Sequence, residues 1–338
     1  MPQVSIIMIS FNHGAYIQES IDSVLNQTFS DFELIIWDDA SQDESWKLIC
    51  NYRDPRIRAF RNNERRRGIY GLNRAISEIA LGEFIAIHHS DDVWEPQKLE
   101  KQVAFLREHK RVGAVFTTAL AIGEDGMPFS GDHAYLTIFE QPNRTRFEWL
   151  RFFFLSGNCL CHPSVLIRKV CYGDCGPYRY GFAQLGDFDM WVRLCLKYEI
   201  HILSEKLVKF RIRDAAANAS ASRPDTRIRC NYEYYRILWN YLDIKEYRDF
   251  IQIFPESSAY CDDQNFDLPY ALAMVCLQLQ PASFRSLFAQ DILFQILTNE
   301  VSAKQLSERV GFDYRDFVAL SGRNDVFSSE HFGIVELL

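Results

Sequence analysis

Long apolar runs are missing from this chain of 338 residues. None approaches the roughly 20 consecutive apolar residues that a membrane-spanning helix requires. The first residues, MPQVSIIMISFN, carry no basic region, and we expect them to form a strand rather than a signal peptide. These absences predict a cytoplasmic protein. Peripheral contact with the inner face of a membrane is compatible with them.

An excess of positive charge is missing as well. The 37 lysines and arginines are outnumbered by 45 aspartates and glutamates, which gives a net charge of −8 and a pI of about 5.6. A nucleic-acid groove requires a basic surface, so we predict no nucleic-acid partner. With 48% hydrophobic residues the chain can bury a sizeable core. Its length predicts two domains, or one large domain with an appendage.

Cysteines are present, but a disulfide framework is not. The chain has nine cysteines, an odd number without framework spacing, which favours a reducing compartment. Cys159, Cys161 and His162, together with Cys171 and Cys175, are close enough in sequence to suggest a zinc site. Their spacing matches none of the common structural zinc patterns, and the first two lie on a predicted strand. Buried free thiols are therefore our main interpretation, with zinc as the alternative.

The first two thirds of the chain alternates between two patterns of apolar residues. Apolar runs predict strands at 4–9, 32–37, 57–60, 84–87, 112–117, 158–168, 201–203 and 207–212. Amphipathic spacing predicts helices at 17–27, 44–53, 73–81, 98–109 and 187–197. This order predicts an α/β fold with an open, mostly parallel sheet flanked by helices.

The composition changes near residue 213. Residues 213–224 are rich in Ala, Asn, Ser and Arg, which predicts a linker. Beyond it, helical periodicity at 230–242, 268–280, 284–299 and 303–310 predicts a small all-α region. We therefore predict two domains, 1–222 and 223–338. The second has no role that its sequence reveals.

Polar side chains follow three predicted strands at the point where each strand ends. They are Ser10 and Asn12, then Asp38 and Asp39, then Asp91 and Asp92. Ligands of open α/β sheets bind at the carboxyl ends of the strands. Paired acids at the end of a buried strand are costly without a positive partner, and a hard divalent cation is the usual one. The alternative is that these acids cap local turns and helices.

Three stretches resemble the family 2 glycosyltransferases of the GT-A fold. In chain order they are VSIIMISFNHGAYIQESIDSVLNQTFSDFELIIWDDASQDES, GEFIAIHHSDDVWEPQKLEKQ and LGDFDMWVRL. The resemblance covers roughly residues 2–222 and excludes the helical region. It implies a Rossmann-like sheet and transfer of a sugar, with inversion, from a nucleotide diphosphate sugar to an acceptor hydroxyl. It also implies Mg²⁺ or Mn²⁺ as the cofactor and a place in polysaccharide or glycoconjugate biosynthesis.

The resemblance assigns six residues to the donor nucleotide, of which Asp91 also belongs to the metal site. Asp39 stands where the family places a carboxylate against the base, accepting the imide N–H of uracil or thymine, which favours UDP- or dTDP-sugars. Ser10 and Asn12 would line the nucleotide, with ordinary turn residues as the alternative. Asn73 would pack beneath the donor. Arg213 stands where the family often has a histidine, and its guanidinium could hold phosphate oxygens.

The resemblance also assigns the metal site. Asp92 is the expected direct ligand, while Asp91 would contact either the ion, its waters or the ribose. His88 and His89 precede them on the strand, where alternation turns neighbours to opposite faces. We therefore interpret His89 as a core residue or as one that supports the site from behind. A direct ligand role for either histidine is the alternative, which the preference of Mg²⁺ for oxygen ligands disfavours.

Asp187 aligns with the family's general base, which takes the proton of the acceptor hydroxyl. Its alternative role is to cap the helix that begins there. Gly186 stands where the family more often has an acid, so Asp189 is kept as a second candidate on the acceptor side. His162 and Trp94 are the other acceptor-side candidates. Trp94 would either stack on a sugar or pack beneath a helix.

The implied partners are a nucleotide-sugar donor and a glycan or lipid-linked glycan acceptor. The aromatic run at 149–154 is expected either to approach a lipid-linked acceptor or to form a buried helix. Homo-oligomer formation through the helical region stays open. Two other functions compete: a non-catalytic nucleotide-sugar sensor or scaffold, and a sugar nucleotidylyltransferase. The latter needs a glycine-rich, basic loop after the first strand, and residues 11–14, FNHG, are not such a loop.

Overall fold

The computed structural model describes residues 1–213, 218, 221, 223–279 and 283–327. Contacts within the chain divide it into two compact units. The first comprises residues 1–146 and 158–223, and the second comprises 147–157 and 224–338. Most of the predicted linker, 213–224, lies outside the described residues.

The first unit is built from strands that alternate with helices. Its strands are β1 (Val4–Ser10), β2 (Phe32–Asp38), β3 (Ile57–Arg61), β4 (Phe84–His89), β5 (Val93–Trp94), β6 (Val112–Ile122), β7 (Leu166–Arg168) and β8 (Glu199–Arg211). The helices of the chain up to β8 are α1 (Ile17–Leu25), α2 (Ser45–Asn51), α3 (Gly68–Arg74), α4 (Lys98–Glu108), α5 (Arg146–Ser156), α6 (Lys169–Cys175) and α7 (Gly186–Cys195). From residue 147 onwards, α5 belongs to the second unit.

The eight strands form one sheet in the order β3-β2-β1-β4-β7-β6-β8-β5. β1 runs parallel to β2 and to β4, and β2 runs parallel to β3. β7 is antiparallel to β4 and β6, while β6 and β8 are parallel. The predicted open, mostly parallel α/β sheet is confirmed. The carboxyl ends of β1, β2 and β4 lie side by side at one edge.

Continuous apolar sequence produces this sheet because its central strands are covered on both faces. All seven residues of β2 are buried. On α1, Ile17, Ile21 and Val24 recur at helical spacing and are fully buried in the same apolar cluster as β1 and β2. Gly82 lies just before β4, where a Cβ atom would come 2.5 Å from the backbone nitrogen of Ser5. Only glycine allows this close approach of the two chains.

The predicted strand at 158–168 is wrong over most of its length. Only Leu166–Arg168 form a strand, and His162–Ser164 form a 3₁₀ turn. Pro163 has no N–H to donate to a sheet, and the Ser164 hydroxyl donates to the carbonyl of Cys161 at 2.8 Å, which closes the turn.

Two further element boundaries differ from the prediction. The helix predicted at 73–81 begins at residue 68 and changes to a π-helical turn over Ala75–Ile79. The strand pieces predicted at 201–203 and 207–212 form the single strand β8.

The second unit is helical, as predicted. Besides α5 it contains α8 (Pro224–Leu238), α9 (Tyr247–Ile253), α10 (Leu268–Gln278), α11 (Ser283–Thr298), α12 (Glu300–Val310) and α13 (Tyr314–Ser321). Phe154 of α5 packs edge-to-face on Tyr241 and Phe254, with ring centroids 5.4 and 4.8 Å apart. Trp149 and Phe153 are also buried, so the aromatic run is a buried helix. Among the described residues, no helix has the length and apolarity that crossing a membrane requires.

Candidate active site

The loops that follow β1 and β2 are joined by hydrogen bonds. The backbone N–H of Asp39 donates to the carbonyl of Ser10 at 2.8 Å. The backbone N–H of Asn12 donates to the hydroxyl of Ser41 at 2.9 Å, and the Asn12 side-chain oxygen accepts from the N–H of Gln42 at 2.8 Å. Two of the three predicted polar clusters therefore form one connected rim.

The two acids at the end of β2 have different partners. Asp38 accepts from the backbone N–H and the hydroxyl of Ser41, at 2.9 and 2.5 Å, so it caps the turn. Asp39 is buried, and its Oδ1 accepts from the side chain of Asn62 at 2.7 Å and from the backbone N–H of Arg66 at 2.8 Å. Sequence reasoning missed Asn62. Asp39 is thus held through one oxygen by partners on the segment that follows β3.

The acids that follow β4 form a cluster with His89. One ligand atom each of His89, Asp91 and Asp92 lie within 4.8 Å of one another, and they form a possible cation site. Oδ1 of Asp92 accepts from the backbone N–H of Arg211 at 2.8 Å, while its Oδ2 is buried without a hydrogen-bond partner. Nδ1 of His89 lies 3.5 Å from that Oδ2.

The electrostatics of this cluster favour a cation. Burial, and then the negative charge of Asp91, raise the pKa of the Asp92 carboxyl well above its usual value. A divalent cation would stabilise both carboxylates in their charged form, and it would also give the unpartnered Oδ2 of Asp92 a ligand role. The residues present therefore fit a metal.

The two histidines of β4 face different surroundings, as alternation requires. His88 is fully buried, and its Nε2 lies 2.9 Å from the hydroxyl of Ser20. The side chain of His89 is 37% exposed and lies at the acid cluster. The sequence predicts a core or supporting place for His89. The signal that could have indicated its place is its position two residues before the first acid.

His13 and Arg213 lie beside the cluster. Arg213 Nη1 donates to Nε2 of His13 at 3.0 Å, and Arg213 Nε lies 3.5 Å from Asp91 Oδ2. Nδ1 of His13 then donates to the hydroxyl of Ser90 at 2.8 Å. Burial lowers the pKa of His13, in keeping with a neutral ring that accepts from the guanidinium. Sequence reasoning missed His13, whose loop position alone gave no signal.

Asp187 lies in the first turn of α7 and is partly exposed. Its Oδ2 accepts from the side chain of Asn158 at 2.9 Å, and its Oδ1 accepts from the backbone N–H of Phe188 at 2.8 Å. Burial first, then the charge of Asp92, and to a lesser extent that of Asp187, raise the pKa of the buried Cys161 thiol. The charges of both carboxylates thus act on the same buried thiol.

Four other predicted residues have structural partners. Both amide atoms of Asn73 bond to the backbone of Tyr178. Trp94 is 2% exposed and donates to the carbonyl of Pro163 at 2.9 Å, so it packs inside rather than presenting its ring to a sugar. The other two of the four lie within networks of polar contacts. Asp189 is fully buried between Arg179 and Arg193, and His162 lies between His89 and Tyr178.

A cavity of about 1290 Å³ lies at the other, amino-terminal edge of the sheet. Gln3, Gly82 and Tyr172 are among its lining residues. Among the described residues that were predicted for the site, only Asn73 lines this cavity. Asp91, Asp92 and Asp187 do not line this cavity, so we do not assign it to the candidate active site.

The cysteines carry no zinc site among the described residues. All nine are free thiols, and Cys159, Cys161 and Cys171 are buried. The cation cluster found in the described part of the chain consists of His89, Asp91 and Asp92. The interpretation as buried thiols therefore replaces the zinc alternative.

Comparison with known proteins places this chain in a family. A model for "Glycosyl transferase family 2" matches residues 5–172. An uncharacterized glycosyltransferase of Methanocaldococcus jannaschii, MJ1057, is 30% identical over 216 residues, which cover 62% of this chain and 71% of the relative. The chain belongs to glycosyl transferase family 2. It is a glycosyltransferase.

Two further similarities accompany that assignment. The O-antigen biosynthesis glycosyltransferase WbnJ of Escherichia coli is 30% identical to this glycosyltransferase over 227 residues, 65% of this chain and 84% of the relative. The crystal structure of TarS residues 1-349 of S. aureus, solved in complex with UDP-GlcNAc, superposes with a TM-score of 0.61 at 17% identity. The superposition covers 98% of this chain and 92% of the TarS chain. At this identity the likeness confirms the fold.

Proposed function

We propose that this glycosyltransferase transfers a sugar, with inversion, from a nucleoside diphosphate sugar to a hydroxyl of a glycan or lipid-linked glycan. One observation carries the proposal: the buried, unpartnered Oδ2 of Asp92 beside His89 and Asp91. A cation bound there would also bind the diphosphate of a donor. The UDP-GlcNAc complex of the S. aureus neighbour supports this donor class, and the O-antigen relative supports a role in polysaccharide or other glycoconjugate biosynthesis.

Asp39 selects the donor base in this proposal. Its Oδ1 is held by Asn62 and Arg66, so the carboxylate has a fixed position beside the Ser10 and Asn12 rim. A carboxylate accepts the imide N–H of uracil or thymine, whereas it meets an acceptor nitrogen on cytosine. UDP- or dTDP-sugars are therefore the proposed donors.

The residues of the cluster bind the diphosphate end. Asp92, Asp91 and His89 would hold Mg²⁺ or Mn²⁺, which supplies Lewis-acid stabilisation of the departing diphosphate. Arg213 lies 3.5 Å from Asp91, and its guanidinium adds a positive charge that binds phosphate oxygens.

Asp187 is the proposed general base. It accepts the proton of the acceptor hydroxyl as the oxygen forms a bond to the anomeric carbon of the donor. The bond from that carbon to the diphosphate oxygen breaks, and its electron pair leaves with the nucleoside diphosphate. Asn158 keeps the carboxylate in place through its 2.9 Å bond to Oδ2. Attack from the face opposite to the diphosphate inverts the anomeric centre.

A thermal-shift panel tests the proposal. The full chain is mixed with UDP-, dTDP- and GDP-sugars, each with and without Mn²⁺, and the same panel is run on Asp92→Asn and on the exposed control Asp31→Asn. We expect a Mn²⁺-dependent shift with a UDP- or dTDP-sugar in the wild type and the control, and its loss in Asp92→Asn. A shift with GDP-sugars alone contradicts the role of Asp39. A complete lack of shifts contradicts the donor proposal.

The proposal extends to the domains and the location. We propose residues 1–222 as the catalytic domain and residues 223–338 as a separate helical domain through which copies of the chain could associate. Light scattering of the full chain tests that association. We place the reaction in the cytoplasm, at the inner membrane face where the acceptor is lipid-linked, and the nine free thiols support a reducing compartment. Cell fractionation tests this location.

A further inference from the structure

A row of three side chains runs from the acid cluster into the interior of the first unit. Nε2 of His89 lies 3.3 Å from Nδ1 of His162. Nε2 of His162 lies 3.1 Å from the hydroxyl oxygen of Tyr178, which is 1% exposed. The row therefore connects a partly exposed ring at the cluster with a hydroxyl that is closed off from solvent.

A cation bound at Nδ1 of His89 would give each imidazole a definite tautomer. Nδ1 of His89 faces Oδ2 of Asp92, and it binds a cation only if it carries a lone pair, which places the ring proton on Nε2. That N–H then donates to Nδ1 of His162. The proton of His162 consequently lies on Nε2 and is donated to the oxygen of Tyr178.

The inner end of the row is held in place by the backbone. Nδ2 of Asn73 donates to the carbonyl of Tyr178 at 2.7 Å, and the N–H of Tyr178 donates to Oδ1 of Asn73 at 3.0 Å. These bonds fix the backbone that carries the phenol.

The turn that carries His162 is fixed in the same way. The carbonyl of Pro163 accepts from Trp94 Nε1 at 2.9 Å, and the carbonyl of Ser164 accepts from Gln102 Nε2 at 2.8 Å. Asn73 and Trp94, predicted as donor and acceptor contacts, thus hold this row in position, and His162, predicted as an acceptor contact, is its middle member.

We propose that His162 and Tyr178 are positioning residues that aim Nδ1 of His89 at the divalent cation. This inference rests on the proposed function, because it assigns a support to the metal of that site. Hydrogen-bond partners behind a metal-binding histidine fix its tautomer and orientation, and removing them typically weakens metal binding about 10- to 100-fold. An imidazole nitrogen in the ligand set also favours Mn²⁺ over Mg²⁺.

The first experiment removes one hydroxyl. Mn²⁺ binding to Tyr178→Phe is measured from the electron paramagnetic resonance signal of free Mn²⁺ at saturating UDP. We expect the Kd for Mn²⁺ to rise by about 10-fold or more while the UDP affinity measured without Mn²⁺ stays unchanged. Tyr180→Phe is the matched control, since Tyr180 is on the same loop and 63% exposed.

The outcomes separate this inference from the proposed function. If wild type binds Mn²⁺ and Tyr178→Phe binds it equally well, the positioning role is wrong and the metal site stands. If wild type binds no Mn²⁺, the metal part of the proposed function is wrong and this inference falls with it.

A second measurement needs no substitution. Nuclear magnetic resonance of isotope-labelled histidine in the wild-type protein with saturating UDP and Mg²⁺ reports which ring nitrogen carries the proton. We expect the proton on Nε2 in both His89 and His162. A proton on Nδ1 of either ring overturns the proposed row, even if Tyr178→Phe fails to fold.

Discussion

Asn73 and Tyr178, which are 105 positions apart in the sequence, form a two-point hydrogen bond between a side-chain amide and a backbone peptide unit. Nδ2 of Asn73 lies 2.7 Å from the carbonyl oxygen of Tyr178, and the backbone nitrogen of Tyr178 lies 3.0 Å from Oδ1 of Asn73. The pair ties the end of α3 to the loop between α6 and α7. That loop carries the phenol that contacts His162. The pair therefore connects Asn73, which the sequence predicts at the donor nucleotide, with the row of side chains behind the acid cluster.

Asn73→Ala therefore tests stability. The substitution leaves a buried N–H and a buried carbonyl of Tyr178 without partners, and each costs roughly 1–3 kcal/mol. We expect the free energy of unfolding to fall by about 2–4 kcal/mol, measured by urea denaturation. Asn63→Ala, at an exposed position nearby, is the control and should change it by less than about 0.5 kcal/mol. Equal stability of the two variants would contradict the structural role.

Lys98 provides a prediction of pH dependence. It is fully buried, its Nζ donates to Oε1 of Gln102 at 2.8 Å, and it lies 3.8 Å from the ring centroid of Trp94. Burial lowers the pKa of Lys98 well below its usual value. The unfolded chain therefore binds more protons than the folded one between the folded and the unfolded pKa, so the folded state gains stability as the pH rises through that window.

Lys98→Met removes this dependence. We expect the free energy of unfolding of the wild type to rise with pH in the alkaline range by up to about 1.4 kcal/mol per pH unit more than that of the variant. Chemical denaturation at a series of pH values measures the slope. Lys110→Met changes an exposed lysine and should keep the slope of the wild type. A wild-type slope in Lys98→Met would mean that another group causes it.

Asp187→Asn separates binding from catalysis. The amide keeps the shape and can still accept from Asn158, but it cannot take a proton. We expect turnover to fall by about 10²- to 10⁴-fold while the affinity for the donor stays the same. Steady-state kinetics and calorimetric titration of the nucleotide measure the two quantities. Glu300→Gln, an exposed acid in the first turn of α12, removes the same charge and should retain full activity.

A different result is expected for Asp189. It is fully buried and accepts from Arg193 Nε at 2.9 Å and from Arg179 Nη1 at 3.0 Å. Removing one partner of a buried ion pair lowers the free energy of unfolding by about 3–5 kcal/mol. Asp189→Asn should therefore lower the unfolding temperature, measured by calorimetry. A variant that unfolds like the wild type but loses turnover would restore Asp189 as a catalytic candidate.

Arg213 tests the diphosphate contact. Its guanidinium donates to His13 at 3.0 Å and lies 3.5 Å from Asp91. We expect Arg213→Ala to weaken UDP binding by about 10-fold, the loss of roughly one charge-assisted hydrogen bond, and Arg213→Lys to restore part of it. Calorimetric titration with UDP measures the affinity. Unchanged affinity and turnover in Arg213→Ala would exclude any role for this residue at the donor.

Local sequence was sufficient for much of the fold. The β1, β2 and β4 runs are mostly apolar, so they predict buried strands without reference to distant residues. It was insufficient at residues 158–168, where alternation suggested a strand. There the missing N–H of Pro163 and the Ser164 hydroxyl bond to Cys161 produce a turn instead.

The sequence by itself determined that polar residues end three neighbouring strands, because strand direction and apolar run length fix which residue lies at the edge of a parallel sheet. Only the tertiary structure decided what each of these residues contacts. Asp38 became a turn cap, Asp39 was held from another segment, and Oδ2 of Asp92 was left buried without a partner. Hydrogen-bond partners come from elements far apart in sequence, and their meeting depends on packing that no local pattern encodes.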